Sequence, residues 1–419
     1  MDKFKIEGGI ALQGTVAASG AKNSALPVLA ACLLTEAPVV LSRIPRVKDI
    51  RTMQSLLQHM GASVEEHAPN ITRVHASQLL RPEAPYDVVK TMRASSLVLG
   101  PLVARTGRAR VSMPGGCAIG ARPIDLHMVA LEQLGARIEQ SHGYVEATAP
   151  DGLRGGHIHF DRITVTGTED ILMAAVLARG ETLITNAARE PEVVDLCSLL
   201  TKMGAQIEGM GTSTIRVQGV PALHGAEHRI IADRIEAGTL LIAGAITGGD
   251  LTVTGCIPEH LFALLSKLRQ VGFEITEPTP DSLRIRPQGQ LRSVDMSTEE
   301  HPGFATDLQA QYMALMTQAD GIAIITETIF ENRFMHVSEL NRMNATIRVE
   351  GRTAIVAGPR RLSGAQIIAS DLRASASLVL AALIATGETV IDRVYHMDRG
   401  YEQIEQKLQS VGARIRRIQ

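Results

Sequence analysis

The chain of 419 residues contains no tryptophan, and aromatic residues make up only 3% of it. Platforms on which nucleic-acid bases stack are therefore not expected. The formal net charge is -2, so there is no basic excess to hold nucleic acid or an anionic membrane. Lysine is scarce, eight residues against 34 arginines. Arginine grips phosphate and carboxylate with two parallel bonds, although most of this excess reads as compositional bias. No apolar run approaches the ~20 residues of a membrane span; the longest, such as 378–385, have the length of a core helix. The opening MDKFKIEGGIALQGTV has no charged leader followed by a long apolar core, so it does not read as a signal peptide. Cysteine is limited to Cys32, Cys117, Cys197 and Cys256, with no metal-ligand spacing and no CxxC. Cys32 and Cys197 fall in apolar helical patterns and are expected to be inert core residues. A cytoplasmic protein with reduced thiols is the expectation.

What is present is an ordinary globular composition, 45% hydrophobic and 21% charged, enough for two or three domains. One stretch stands out, VSMPGGCAIGARPIDLH at 111–127. Three glycines within six residues make a loop able to bring its backbone close to a ligand. Cys117 lies inside that loop with Arg122 nearby, a setting that favours a thiolate. The Lys-Ser/Thr ending of a phosphate-binding Walker loop is missing.

Internal repetition is the strongest signal. An apolar-Gly-Ala-x-Ile/Val phrase recurs around Gly61, Gly135, Gly204, Gly272, Asn344 and Gly412, at intervals of 74, 69, 68, 72 and 68 residues. A period this regular means six copies of one supersecondary unit. The fifth copy carries Asn344 for Gly, and Asn also tolerates the left-handed conformation of a helix C-cap. Each copy opens with a small-residue apolar helix, at 25–34, 95–104, 171–178, 237–246, 308–317 and 374–385. A strand follows, at 39–41, 109–113, 182–186, 250–254, 322–326 and 389–392. An amphipathic helix then leads into the phrase, for example 193–203 or 401–411. In the last of these, Tyr401, Ile404, Leu408 and Val411 share one face. The first helices are apolar nearly all round and should be buried.

Six such copies predict an α/β fold of two inside-out, barrel-like domains. Each would hold three repeats, with parallel buried helices inside and sheets outside. The boundary is expected near 229–233, after strands at 214–218 and 229–232. The opening strand, 4–8, has no partner in the first copy and is expected to close the last domain. Polar residues cluster just before each buried helix: Lys22-Asn23, Arg93, Thr168-Glu169-Asp170, Arg234 with Glu236, Asp307, and Asp371 with Arg373. Helix N-termini attract anions, and two such ends facing each other would make a cleft. Thr168, Asp170 and Glu236 read as ordinary caps or exposed first-turn residues. Lys22 and Arg93 oppose the helix dipole, which a bound anion would explain.

Several motifs carry a family resemblance that covers essentially the whole chain. Gly20-Ala21-Lys22-Asn23-Ser24, the Pro114–Pro123 loop, Asn186-Ala187-Ala188-Arg189-Glu190-Pro191-Glu192, Ile329-Phe330-Glu331-Asn332-Arg333-Phe334 and Asp371-Leu372-Arg373-Ala374 closely resemble the UDP-N-acetylglucosamine 1-carboxyvinyltransferase family. The resemblance implies two inside-out domains, 22–231 and 1–21 with 232–419, joined by a two-strand hinge. It also implies an enzyme of peptidoglycan precursor synthesis, and so of cell-wall biogenesis, cell shape and division. Such an enzyme transfers the enolpyruvyl group of phosphoenolpyruvate to the 3′-hydroxyl of UDP-N-acetylglucosamine and releases phosphate, by addition and elimination through a tetrahedral ketal.

The implied roles follow residue by residue. Lys22, Asn23, Arg122, Arg333, Arg373 and Arg399 would hold phosphoenolpyruvate, with Lys22, Arg122 and Arg399 at its phosphate. Asn23, Arg93, Arg122, Pro123, Ile124, Asp125, Leu126, Arg162, Ile163, Thr164, Val165, Asp307 and Ile329 would hold the nucleotide sugar. Cys117 would be the general acid, able to form a covalent adduct with phosphoenolpyruvate and open to the epoxide antibiotic fosfomycin. Asp307 would act as base at the sugar hydroxyl or orient it. Lys22 and Arg399 would share in catalysis, and Asp371 would support them. No metal or cofactor is expected, because arginines supply the positive charge. No nucleic-acid or membrane partner is expected, and domain closure with sugar nucleotide binding first is implied. Two rival readings are an enolpyruvylshikimate-phosphate synthase-like transferase and a non-catalytic nucleotide-sugar-binding paralogue. The Gly-Gly-Cys-Ala-Ile-Gly loop weighs against the first, and the full set of charged residues against the second.

Overall fold

A computed structural model describes residues 2–90, 92–113 and 124–419. Cys117, Arg122 and Pro123 lie outside the described residues. The chain divides into two compact units. The first comprises residues 20–113 and 124–231, and the second residues 2–19 and 232–419.

Among the described residues, six four-stranded sheets share one topology. In each, an edge strand lies parallel to a central strand, whose other side pairs antiparallel with a return strand bearing a final antiparallel edge. Glu227–Arg229 pairs parallel with Val39–Ser42, which pairs antiparallel with Ile71–His75, itself flanked by Ser63–Ala68. In this way the end of the first unit completes the sheet of its own first repeat. The strand expected at 229–232 thus sits earlier, because its partner runs out at Ser42 and the last link is Ile230 N–H to the Ser42 carbonyl, 3.0 Å. The second unit closes with the opening segment. Lys3–Glu7 lies between Glu388–Asp392 and Arg414–Ile418, and Gln13–Ala17 runs parallel to Asp250–Thr254.

The strands alternate as a half-buried sheet should. In Asp250–Thr254, Leu251 and Val253 point inward, fully buried. On the outer face Asp250 accepts two bonds from Arg284, at 2.7 and 2.6 Å, and the Arg284 contact holds its carboxyl below the usual range.

The buried helices are α1 (Lys22–Ala31), α2 (Leu99–Thr106), α3 (Val165–Ala175), α4 (Arg234–Ile246), α5 (Gln309–Met316) and α6 (Leu372–Ile384). In α4 every residue but Arg234 is buried, and in α5 all are. Helices α4, α5 and α6 pack on one another, as do α1, α2 and α3 with their flanking turns. One helix expected at 95–104 is instead a 3-10 turn, Arg93–Val98, running into α2. The Ser95 and Ser96 hydroxyls donate to the Met92 and Arg93 carbonyls, tightening that turn. The helix expected from 401 begins at Ile404, because Gln403 sits at φ 47.

Each outer helix ends at the repeated phrase. Gly61, Gly135, Gly204, Gly272, Asn344 and Gly412 all have positive φ, between 75 and 120. In five copies the next amide, that of Ala62, Ala136, Ala205, Ala345 or Ala413, reaches back five residues to a helix carbonyl. That bond belongs to the Schellman termination. The cysteines Cys32 and Cys197 are core residues whose thiols burial pushes up to about 12.

Candidate active site

In the second unit the structure gathers Asp307, Arg333 and Arg373. Asp307 sits in the 3-10 turn Thr306–Leu308 at the start of α5. That turn can lie close to α4 because residue 238 is glycine; a Cβ there would stand 2.8 Å from Leu308 Cδ1. Arg333 donates to Asp307 Oδ1 at 2.8 Å, and Arg373 donates to Oδ2 through Nε at 3.0 Å and a terminal nitrogen at 2.8 Å. Both arginines are buried, 6% and 4% exposed. The Asp307 side chain keeps 25% of its surface open. Two buried guanidiniums fixed on one carboxylate are groups of the kind that bind an anionic ligand.

Arg373 lies in the first turn of α6, where the helix dipole opposes a cation. Burial is the largest influence and works against its charge, but Asp307, Tyr401 and Asp233 together outweigh it, and its pKa stands above the ordinary guanidinium value. The Arg373 guanidinium also lies 5.4 Å from the Tyr401 ring centroid. Tyr401 is held in turn by the Thr239 hydroxyl and the Gln311 amide, at 3.0 and 3.2 Å. Asp371 is the N-cap of α6, accepting from the Arg373 and Ala374 amides at 2.9 and 3.0 Å. Its place is therefore to set the start of the helix that carries Arg373. Half-buried Arg399 ends a separate turn, Val394–Arg399, packed against α6. Ile329 is half-buried and donates its amide to Glu327 at 2.9 Å.

In the first unit, Lys22 is the first residue of α1 and 9% exposed. Its ammonium lies 3.4 Å from Asp49 on the outer helix Lys48–Met60. Asn23 beside it is half-buried, and Arg93 begins the turn before α2. Ile124 is buried, Asp125 exposed and Leu126 half-buried at the start of the helix Asp125–Gln133. Arg162 is exposed, while Ile163, Thr164 and Val165 are half-buried at the start of α3, which Thr164 caps through the Gly167 amide. These two segments are tied together by His127. Its Nδ1 meets Asp170 Oδ2 at 3.1 Å and its Nε2 meets the Thr166 hydroxyl at 3.2 Å.

Thr168, Asp170 and Glu236 are not caps or exposed first-turn residues. All three are fully buried. Thr168 receives the Ala188 amide, Asp170 receives the Gly100 amide and His127, and Glu236 pairs with Lys407 at 2.7 Å. The true caps are Thr164 and Asp233. Asp49, His127 and Glu327 escaped sequence reasoning. No local pattern marks them, since their partners lie 27, 43 and up to 29 residues away in the chain.

Among the described residues no helix is long and apolar enough to cross a membrane. The family model described as EPSP synthase (3-phosphoshikimate 1-carboxyvinyltransferase) matches residues 6–408, and the chain belongs to this family of carboxyvinyl transferases. Along its whole length it is 70% identical to the UDP-N-acetylglucosamine 1-carboxyvinyltransferase of Solibacter usitatus, covering all of that protein. To the enzyme of the same name from Koribacter versatilis it is 64% identical over the whole chain, covering 97% of that protein. Among solved structures it is similar to the enolpyruvyl transferase NikO from Streptomyces tendae, with a TM-score of 0.89, 28% identity, and coverage of 100% of this chain and 99% of that one. The EPSP synthase of Acinetobacter baumannii shares the fold at a TM-score of 0.77 and 17% identity, each chain covered in full.

Proposed function

We propose that the chain transfers the enolpyruvyl group of phosphoenolpyruvate to the 3′-hydroxyl of UDP-N-acetylglucosamine, releasing phosphate in peptidoglycan precursor synthesis. The 70% identity along the full length of a relative bearing that name carries the reading. The chemistry of the cluster agrees with it. Phosphoenolpyruvate brings a phosphate and a carboxylate, which require fixed cations in a site shielded from water. Arg333 and Arg373 are such cations, held by Asp307 and by packing, and Lys22, Arg122 and Arg399 add to them. In the addition step the sugar hydroxyl attacks C2 of phosphoenolpyruvate while the methylene carbon takes a proton from Cys117. As phosphate leaves C2 of the tetrahedral ketal, the new methyl group gives a proton back to the Cys117 thiolate, and the double bond is restored. Asp307, part-exposed between its two arginines, accepts the hydroxyl proton or orients the hydroxyl. The segments at 124–126 and 162–165, joined through His127, hold the nucleotide sugar with Asn23, Arg93 and Ile329.

Purified protein given both substrates is expected to release one phosphate per product, and none with shikimate 3-phosphate as acceptor. Binding of UDP-N-acetylglucosamine with no phosphate release would favour the binding paralogue; release with shikimate 3-phosphate alone would favour the other transferase. Cys117→Ser is expected to lose most turnover at neutral pH while melting like wild type. Full turnover in that variant would remove the thiol from the reaction.

A further inference from the structure

Glu327 follows the strand Gly321–Thr326 and is 1% exposed. Among the described residues no cation pairs with its carboxylate. It accepts four hydrogen bonds instead. Oε1 receives the Thr298 hydroxyl at 2.9 Å and the Ile329 and Phe330 amides at 2.9 and 3.1 Å. Oε2 receives the Thr306 hydroxyl at 2.9 Å. Burying an anion without a cation is costly unless donors replace the lost water. Four donors match the roughly four lone-pair sites of a carboxylate; an amide in its place would offer about two and add an N–H group.

The partners of Glu327 make the position informative. Thr306 is the residue before Asp307, in the same 3-10 turn. Ile329 and Phe330 begin the segment that delivers Arg333, whose guanidinium lies 5.1 Å from the Phe330 ring centroid and donates to Asp307. One buried carboxylate therefore ties down both chain segments that meet at the Asp307–Arg333 bond. Thr298, the fourth donor, also receives the Thr328 amide at 2.9 Å, which anchors the assembly to the sheet edge. We propose that Glu327 is a positioning residue for the transfer reaction, holding Asp307 and Arg333 at their working separation through Thr306 and the 329–330 amides. This rests on the function proposed above.

The test measures kcat, both KM values and melting temperature for Thr306→Val, Thr306→Ser and Glu327→Gln. Thr306→Val removes one hydroxyl and leaves the carboxylate its other three donors. It is expected to lower kcat about fivefold and to raise KM for UDP-N-acetylglucosamine, since sub-ångström misplacement of a reacting group is felt in rate. Thr306→Ser keeps the hydroxyl and should retain wild-type kcat. Glu327→Gln should lose more, about twentyfold, because its amide turns an acceptor into a donor facing donors. Unchanged kcat in both Thr306→Val and Glu327→Gln would overturn the proposal. So would losses that track the folded fraction alone, with Thr306→Ser as impaired as Thr306→Val. If wild-type protein released no phosphate, the transfer reading would fall by itself. Positioning would then be judged by calorimetric titration of UDP-N-acetylglucosamine, whose affinity Thr306→Val should weaken and Thr306→Ser should not; equal affinity in both would end it.

Discussion

Two buried helices, one in each unit, carry a buried cation in the first turn, where the helix dipole disfavours it, and the two hold it differently. At the start of α6, Arg373 grips Asp307 with two nitrogens, and Arg333 holds the other carboxylate oxygen. At the start of α1, the Lys22 ammonium lies 3.4 Å from Asp49. The planar guanidinium fork fixes direction as well as charge, whereas an ammonium is a point charge on a flexible stem. The α6 end thus presents two cations in a set geometry. The α1 end carries its charge on an ammonium, without the directional hold of the guanidinium fork.

The largest effect that follows from this contrast belongs to Asp307→Asn. Two buried guanidiniums would lose their anion, and breaking a buried pair from one side costs about 3 kcal/mol. Turnover should fall at least ~100-fold with a clear drop in melting temperature. An unchanged melting temperature would mean that Arg333 and Arg373 do not depend on this carboxylate. Arg373→Lys comes next. It keeps the charge but loses the fork, and kcat/KM for phosphoenolpyruvate should fall roughly tenfold or more with little loss of stability. Equal activity in that variant would erase the distinction drawn between the two helix starts.

His336, fully buried and three residues beyond Arg333, supplies a pH-dependent contrast. Burial pushes its imidazole down from 6.5 to about 4, with Asp371 opposing and Arg333 assisting. The unfolded chain takes up this proton below about 6.5, while the folded chain does not until about 4. Stability is therefore whole above pH 6.5 and lost as pH falls toward 4, by an amount on the order of 3 kcal/mol. Urea midpoints measured between pH 7.5 and pH 4.5, values chosen to span about that window, should show this slope, and His336→Leu should flatten it. The same slope in His336→Leu would assign the acid sensitivity elsewhere. Asp49→Asn is expected to have the smallest effect, about 1 kcal/mol in stability with KM for phosphoenolpyruvate moved less than about threefold, since a 3.4 Å contact is weaker than the bonds that Asp307 makes. A loss matching that of Asp307→Asn would show that the α1 end is as rigid as the α6 end.

Much of the fold was legible because it repeats. The glycine phrase marks the left-handed end of an outer helix in every copy, and Asn344 at φ 75 fills the role where glycine is missing. The apolar helices read as buried, and they are. What sequence reasoning misjudged were polar residues inside those helices. Thr168, Asp170 and Glu236 looked like caps because they stand near helix starts, but they are fully buried with partners drawn from other elements. Asp307, Arg333 and Arg373 were each visible as site candidates, yet nothing local indicated that one carboxylate would hold both arginines.

The sequence alone determined the six-copy architecture, its helix terminations and the set of charged side chains, because backbone propensity and hydrophobic periodicity act within a few residues. Tertiary structure decided which of those charges become fixed cations, which carboxylates face them, and that an overlooked glutamate ties two of the segments together. Hydrogen bonds and ion pairs act over about 3 Å of space, and only folding brings residues 26 and 66 positions apart within that reach.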